Sequence, residues 1–217
     1  MRMGLFIIML LASMVLSGCS TDPAETIYNH LEKAVAMEDV FEQQQQPLVD
    51  AEQREHQLYE EIISLGVEEF EEIRSLAEEA LTIVEQRQGY IEKEKESLDA
   101  SFEEFLKVET EIESIDNQDV RSSADELVEV MNKRYDKYQE LYHEYENAID
   151  LDRELYEMLQ DEELTIDVLQ EQIDLINTSY QSVSELKETF NQYTESYNQH
   201  KKDFYEAAEL DVSYPSE

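Results

Sequence analysis

Between Ile27 and Ala207 the apolar residues recur at alternating spacings of three and four. That period places them on one stripe of an α-helix and leaves the other faces to Glu, Gln, Lys and Ser. Four such segments follow one another. The first, residues 23–65, carries Ile27, Leu31, Ala34, Phe41, Leu48, Tyr59 and Ile62 on its stripe. The second, 67–114, carries Phe70, Ile73, Ala77, Ala80, Val84, Ile91, Leu98, Phe105, Val108 and Ile112. In the third, 119–159, the stripe runs through Val120, Ala124, Leu127, Met131, Tyr138, Leu141, Tyr145, Ala148, Leu155 and Leu159. The fourth, 165–209, has Leu169, Ile173, Ile176, Tyr180, Val183, Leu186, Phe190, Tyr193, Tyr197, Phe204 and Ala207.

The punctuation between segments is short. Asp22-Pro23 reads as a cap and first-turn pair, and Thr165 as the start of the last helix. Gly66 reads as a C-terminal cap. Pro47 lies inside the first segment, where proline costs about 3 kcal/mol and bends a helix, so a kink is expected there. The stripe keeps its phase across it, so no domain boundary is expected. With only 4 Gly and 3 Pro in 217 residues, the chain lacks the turns a sheet protein needs.

Four helices of similar length joined by short turns become antiparallel neighbours. The expected fold is therefore all-α: an elongated up-and-down four-helix bundle over residues 27–209, about 60 Å long, with a frayed tail at 210–217. The alternative is a three-helix, spectrin-like bundle, with the first helix broken at Pro47 and its first part docked outside as an extra N-terminal helix.

The front of the chain has a different pattern. Arg2 precedes the uncharged apolar run 5–16, and Leu16-Ser17-Gly18-Cys19 leads into polar sequence. A charged start, a short apolar core and small residues describe an export signal. The run is shorter than the roughly 20 residues a spanning helix needs. The Leu-Ser-Gly-Cys ending resembles the lipobox of bacterial lipoproteins. That resemblance implies a signal peptide at 1–18, a diacylglycerol on the Cys19 thiol, a short tether over 19–26, and a protein anchored at the outer face of the cell membrane.

Further stretches carry a more specific likeness. They are Ile27-Tyr28 with Leu31-Glu32, Pro47-Leu48-Val49, Leu58-Tyr59-Glu60-Glu61-Ile62-Ile63-Ser64-Leu65-Gly66, Glu92-Lys93-Glu94-Lys95-Glu96-Ser97, Leu151-Asp152-Arg153-Glu154-Leu155-Tyr156-Glu157-Met158-Leu159 and Lys202-Asp203-Phe204-Tyr205-Glu206-Ala207-Ala208. The chain resembles the YkyA-like lipoprotein family of low-GC Gram-positive bacteria, which is named for cell-wall binding. The resemblance implies an exported, lipid-anchored helical bundle and brings no catalytic residues with it.

Charge narrows the function. The formal net charge is -38, from 54 acids against 16 bases. Such a surface repels nucleic-acid phosphates, so no nucleic-acid partner is expected. The acidic runs at Glu68-Glu69, Glu71-Glu72, Glu78-Glu79 and Glu103-Glu104 read as a solvated face. No cofactor or metal site is expected. Glu140-x-x-His143 has the spacing of a di-iron ligand pair, but no second copy accompanies it, and both read as surface residues. No nucleophile, base and metal set is clustered, so the chain reads as non-enzymatic.

Two groups of residues stand out as candidate sites. Glu38, Gln45, Glu52, Glu55, Arg87, Glu94, Arg134 and Asp152 fall at stripe positions, where they would form polar layers that fix helix register. Tyr135, Tyr138, Tyr142 and Tyr145 share a broad face of the third helix, with Tyr193 and Tyr197 on the fourth. They read as core and rim residues, or as a face for a ligand. The leading expectation is a lipid-anchored surface protein that binds the wall or scaffolds another envelope protein. The second is an extracytoplasmic module holding a small glycan, peptide or lipid between its helices.

The charge yields a prediction. Self-repulsion strains the folded state, and salt near 1 M cuts the screening length to about 3 Å. The thermal midpoint should rise from low salt to molar salt; an unchanged midpoint contradicts it.

Overall fold

The computed structural model describes residues 22–212. Cys19, the expected signal peptide and residues 213–217 lie outside them. Six helices form: α1 (Pro23–Met37), α2 (Asp39–Ser64), α3 (Phe70–Phe105), α4 (Lys107–Ile112), α5 (Gln118–Met158) and α6 (Ile166–Ala207), with a 3-10 turn at Val67–Glu69. The described residues contain no strand. End to end they make four rods: α1 with α2, α3 with α4, α5, and α6.

Local chemistry sets the ends. Asp22 Oδ1 accepts the Ala24 N–H at 3.0 Å with Pro23 in the first turn, which satisfies a donor the helix cannot. Asn117 caps α5 by accepting the Asp119 N–H at 2.9 Å. Thr165 caps α6 by accepting from Val168. Gly66 is not the expected left-handed cap. Its backbone is extended (φ -90°, ψ 164°) and Leu65 closes α2. The Gly66 N–H instead donates to Glu69 Oε2 at 2.9 Å, which starts the 3-10 turn.

The first rod breaks at Glu38, not at Pro47. Ser97 of α3 is inserted into its hydrogen-bond ladder. The Ser97 hydroxyl donates to the Met37 carbonyl at 2.6 Å and accepts the Phe41 N–H at 3.1 Å. Those two backbone groups would otherwise bond each other across one helical turn. A side chain inserted in this way is an established cause of a break. Pro47 sits within the continuous α2. Its missing N–H strands only the carbonyl of Gln43, an exposed residue that water can serve.

Neighbouring rods pack in sequence order: α2 on α3, α3 on α5, and α5 on α6, while α1 lies on α3 and α4. Ile27 and Leu31 are fully buried, so the first segment is part of the bundle and the three-helix alternative fails. The fourth side, between the first rod and α6, is the widest, and side chains rather than close backbones bridge it. Tyr28 meets Tyr205 at a ring-centroid distance of 5.2 Å and Phe41 meets Phe190 at 6.2 Å.

Two apolar cores result. One, around Ile27, Leu31, Phe105, Leu127, Met131, Tyr197 and Phe204, lies at the end holding both described chain ends. The other, around Leu58, Ala80, Val84, Ile91, Tyr138, Ile149 and Phe190, fills the other half. Leu210 and Val212, in the tail expected to fray, pack on the first core. Between the cores, Arg134 grips Glu38 with two bonds, from Nη1 to Oε1 at 2.8 Å and from Nη2 to Oε2 at 2.7 Å. Ser101 donates to the same Glu38 Oε1 at 2.9 Å, and Arg134 Nε donates to Thr194 at 3.1 Å.

The Ser97 insertion is testable by substitution. Ser97→Ala leaves the Met37 carbonyl and Phe41 N–H without their partner, at a cost of roughly 1–3 kcal/mol. Urea unfolding of the variant should show that loss. A change below about 0.5 kcal/mol would mean that the ladder closes into one continuous helix.

Candidate functional site

Beyond Phe41 and Phe190 the wide side opens into a groove between α2 and α6. Its larger cavity, about 440 Å³, is walled by Glu52, Glu55 and Tyr59 of α2, Asp152 and Tyr156 of α5, and Ile173, Ile176 and Tyr180 of α6, with Arg87 of α3 also lining it. A second cavity of about 130 Å³ continues along the groove past Gln45, Glu94, Tyr138, Tyr142, Tyr145 and Lys187. The two share Glu52 and Tyr180. The first half of α6 is tied to α5 by polar side chains and leaves apolar residues open. Gln172 donates to the Leu151 carbonyl at 2.7 Å and Ser179 to Glu144 at 2.6 Å. Ile166, Val168 and Leu175 remain exposed.

Arg87 is 1% exposed and central to this half of the bundle. Its Nη1 donates to Glu55 Oε2 at 2.6 Å and to Asp152 Oδ2 at 2.7 Å. Its Nη2 donates to the hydroxyls of Tyr145 at 3.2 Å and Tyr180 at 2.5 Å, and both rings also flank the guanidinium. Tyr180 donates in turn to Asp152, and Tyr145 to Glu52. One cation thus serves two carboxylates directly and a third through a tyrosine. Burial works against the Arg87 charge, but Tyr145, Tyr180, Glu55 and Asp152 outweigh it and hold the guanidinium charged. Burial raises both Glu55 and Asp152 above the ordinary carboxyl range, although Arg87 pulls each back. The Arg87 Nε is a buried donor with no partner.

Glu94 sits one layer along. Gln45 Nε2 donates to it at 2.6 Å. Burial pushes its carboxyl up to about 7, opposed by Lys187 and Gln45 and reinforced by Glu52. Glu38, Gln45 and Glu52 stand seven residues apart on the first rod, as do Arg87, Glu94 and Ser101 on the second. That repeat keeps polar groups on one seam of a bundle.

The six candidate tyrosines are distributed over different sites. Tyr138, Tyr142 and Tyr145 line the groove. Tyr135 instead stacks on Phe102, with ring centroids 3.8 Å apart, and donates to Asp99 at 2.9 Å. Tyr197 is buried in the first core, edge-on to Phe105 at 6.0 Å and beneath Arg134. Tyr193 is half-buried on α6 and lines neither cavity.

Tyr59, Tyr156 and Tyr180, none of them among the six candidates, also line the larger cavity. Tyr59 and Tyr180 were visible as stripe positions. Tyr156 stands next to the stripe position Leu155, four residues after Asp152. Glu104 is a correction to the acidic runs read as solvated. It is 3% exposed and meets Lys107 at 2.6 Å, Lys33 at 2.8 Å and His30 at 2.7 Å. Those hydrogen bonds, Lys107 first, hold it down at about 2. Glu140 pairs with Lys137 and His143 with Glu146, and both glutamates lie on the same helix as their partners. The described residues contain no group of three or more His, Cys, Asp or Glu placed to hold a metal ion.

The groove offers binding groups: carboxylates, aromatic faces and a buried guanidinium on a rigid helical frame. The architecture is that of an all-α helical bundle, and comparison gives the family. The chain belongs to the family described as "putative cell-wall binding lipoprotein", which it matches over residues 22–207. It is similar to the uncharacterized lipoprotein YkyA of Bacillus subtilis strain 168, with 36% identity over 197 residues that cover 90% of this chain and 88% of that one. Its fold is similar to the crystal structure of a conserved protein of unknown function from Staphylococcus aureus. The TM-score is 0.59 across 83% of this chain and 91% of the other, at 14% identity. Among the described residues no helix is long and apolar enough to cross a membrane.

The buried carboxyl at Glu94 predicts a pH dependence. Its folded value, about 7, lies above its ordinary 4.5, so folding takes up a proton in that window. This contribution to stability is present at the acid end and is lost as pH rises toward 7. Glu94→Gln removes the need to bury an ionised group. The variant should be more stable than the parent at pH 8, by up to ~3 kcal/mol, with the gain shrinking at pH 5. Denaturant titrations giving an equal gain at both values, or a loss at pH 8, would contradict it.

Proposed function

We propose that this protein is a non-enzymatic rod, anchored by a lipid on Cys19 at the outer face of the cell membrane, that associates with the cell wall through its far tip. The observation that carries the reading is the position of the chain ends. Ala24 and Ile27 share a core with Phe204 and Tyr205, so α1 begins and α6 ends at the same end of the bundle. Cys19 precedes α1 by a few residues, so in this reading a lipid on it anchors that end. α5 has 41 residues, a span of about 60 Å at 1.5 Å per residue. The α2–α3 and α5–α6 turns therefore stand that far from the lipid.

That tip has a suitable surface. Ile63 is 60% exposed and Ile166 84% exposed, beside the extended Gly66 and the turn at 159–165. Membership of a family described as cell-wall binding points the same way. The net charge of -38 sets a condition. An acidic rod meets an anionic wall polymer only where divalent cations bridge them.

Purified full-length lipoprotein in detergent, incubated with isolated wall, should be retained in calcium and released by chelator. Ile166→Ser, which removes apolar surface at the tip without adding a carboxylate, should reduce retention. No retention with or without calcium removes the wall role. Separately, Cys19→Ser should move the protein out of the membrane fraction; if it stays there, the anchor assignment fails.

A further inference from the structure

We infer that the cavity between α2 and α6 binds an organic ammonium with an apolar stem, its charge placed against Glu52 and its stem against Tyr59, Ile173 and Ile176. The site lies along the shaft of the rod, so the inference goes beyond wall contact at the tip and does not depend on it.

Glu52 is the starting point. It is half-buried and lines both cavities of the groove. Three carboxyl groups line the larger cavity, and two of them, Glu55 and Asp152, pair with Arg87. They are served further by the hydroxyls of Tyr156 and Tyr180. Among the described residues Glu52 has no ion pair, and its hydrogen bond comes from Tyr145. Arg87 is committed elsewhere, because both of its Nη atoms are held by four other side chains. Glu38, two heptads earlier on the same rod, has a guanidinium of its own in Arg134. Glu52 repeats that position in the other half of the bundle and borders open space instead.

The neighbouring groups register the surplus of negative charge. Burial raises the carboxyls of Glu55, Asp152 and Glu94, and Arg87 and Lys187 oppose it. The further push comes from other carboxylates: Glu52 raises Asp152 and Glu94, and Asp152 raises Glu55. Protons thus take up part of a charge that a bound cation would balance. An anion would meet Glu52 with no uncommitted cation beside it.

The rest of the wall decides which kind of cation fits. A metal ion of this charge class wants several oxygen ligands around it, and the described residues hold no group of three or more placed for one. Tyr59, Ile173 and Ile176 are half-buried and line the same cavity. An ammonium is drawn to the face of a tyrosine ring, and an apolar stem gains by leaving water against the isoleucines. The volume, about 440 Å³, falls within the roughly 300–1,000 Å³ of small-molecule sites.

The test is saturation-transfer NMR on the full-length lipoprotein in a non-ionic detergent at pH 8, with empty micelles subtracted. Salt near 0.15 M cuts the screening length to about 8 Å and weakens the pull of the exposed acids. Phenethylammonium and Nα-acetyl-lysine amide are the probes; they carry an ammonium on an apolar stem, one as a free amine and one as a lysine side chain. Phenethyl alcohol, 3-phenylpropionate and methylammonium are the comparators, which remove the charge, reverse it and remove the stem. At least one probe should receive saturation and bind about tenfold more tightly than every comparator. The tighter of the two gives the source of the ammonium. Glu52→Gln, close in shape, should weaken binding about tenfold, and Tyr59→Leu about two- to fivefold. Ile176→Trp fills the cavity and should abolish the signal. Glu113→Gln alters an exposed acid just beyond Ile112 of the first core and should change nothing. Thermal midpoints near the parent's show that the variants are folded. No transfer to either probe overturns the inference. So does a comparator that binds as tightly as the probes, binding unchanged by both Glu52→Gln and Ile176→Trp, or an equal loss from Glu113→Gln.

Discussion

Arg134 and Glu38 join two rods that are separated by 96 residues of chain, and they do so at the boundary between the two apolar cores. Four acidic amphipathic helices of similar length have many near-equivalent ways to pack, because a stripe of Leu, Ile and Tyr slides against another at little cost. A two-pronged guanidinium–carboxylate pair does not slide. Its geometry is fixed, and separating the partners strands a buried charge. The Ser97 insertion serves the same pair. By breaking the first rod between Met37 and Asp39 it leaves Glu38 as the link residue, which then faces Arg134 and Ser101. The polar layers at Gln45–Glu94 and at Arg87 repeat the device further along, so register is set at three levels instead of one.

The same layers explain why the bundle is not closed on all sides. Arg87 draws Glu55, Asp152, Tyr145 and Tyr180 around itself, and those side chains come from three different helices. They are long enough to meet at the centre while the backbones of α2 and α6 stay apart. An apolar layer of Leu and Ala would let those helices close. The groove is thus a product of the chemistry chosen for the layer, and its acidity and its aromatic walls come from the same residues.

Much of the fold was legible because it depends on period and caps. The four segments and their turns were readable within a few residues, since Asp22-Pro23 and Thr165 are strong local signals. The break in the first rod was not readable. Pro47 has a known local effect, whereas Ser97 acts from 60 residues away, through a contact that no local pattern contains. The residue types of the polar layers were visible at stripe positions, but their partners were not. Arg87 could have met any of the acids, and only the assembled bundle selects Glu55 and Asp152. Glu104 looked like one more member of an acidic run; it is covered because His30, Lys33 and Lys107 converge on it from two rods. The exposed apolar start of α6 marks a similar limit. A stripe tells which face is apolar and does not tell whether a neighbour reaches it.

The shared end of α1 and α6 has a practical consequence for the design of this polypeptide. The end of α6 lies beside the start of α1, so surface chemistry added there is shared between the two helices. A peptide inserted in the turn at 159–165 emerges at the opposite pole, in the middle of the chain rather than at a terminus. Natural lengthening of reach therefore calls for whole heptads added in step to all four rods, whereas new surface chemistry needs only a few residues exchanged in two short turns.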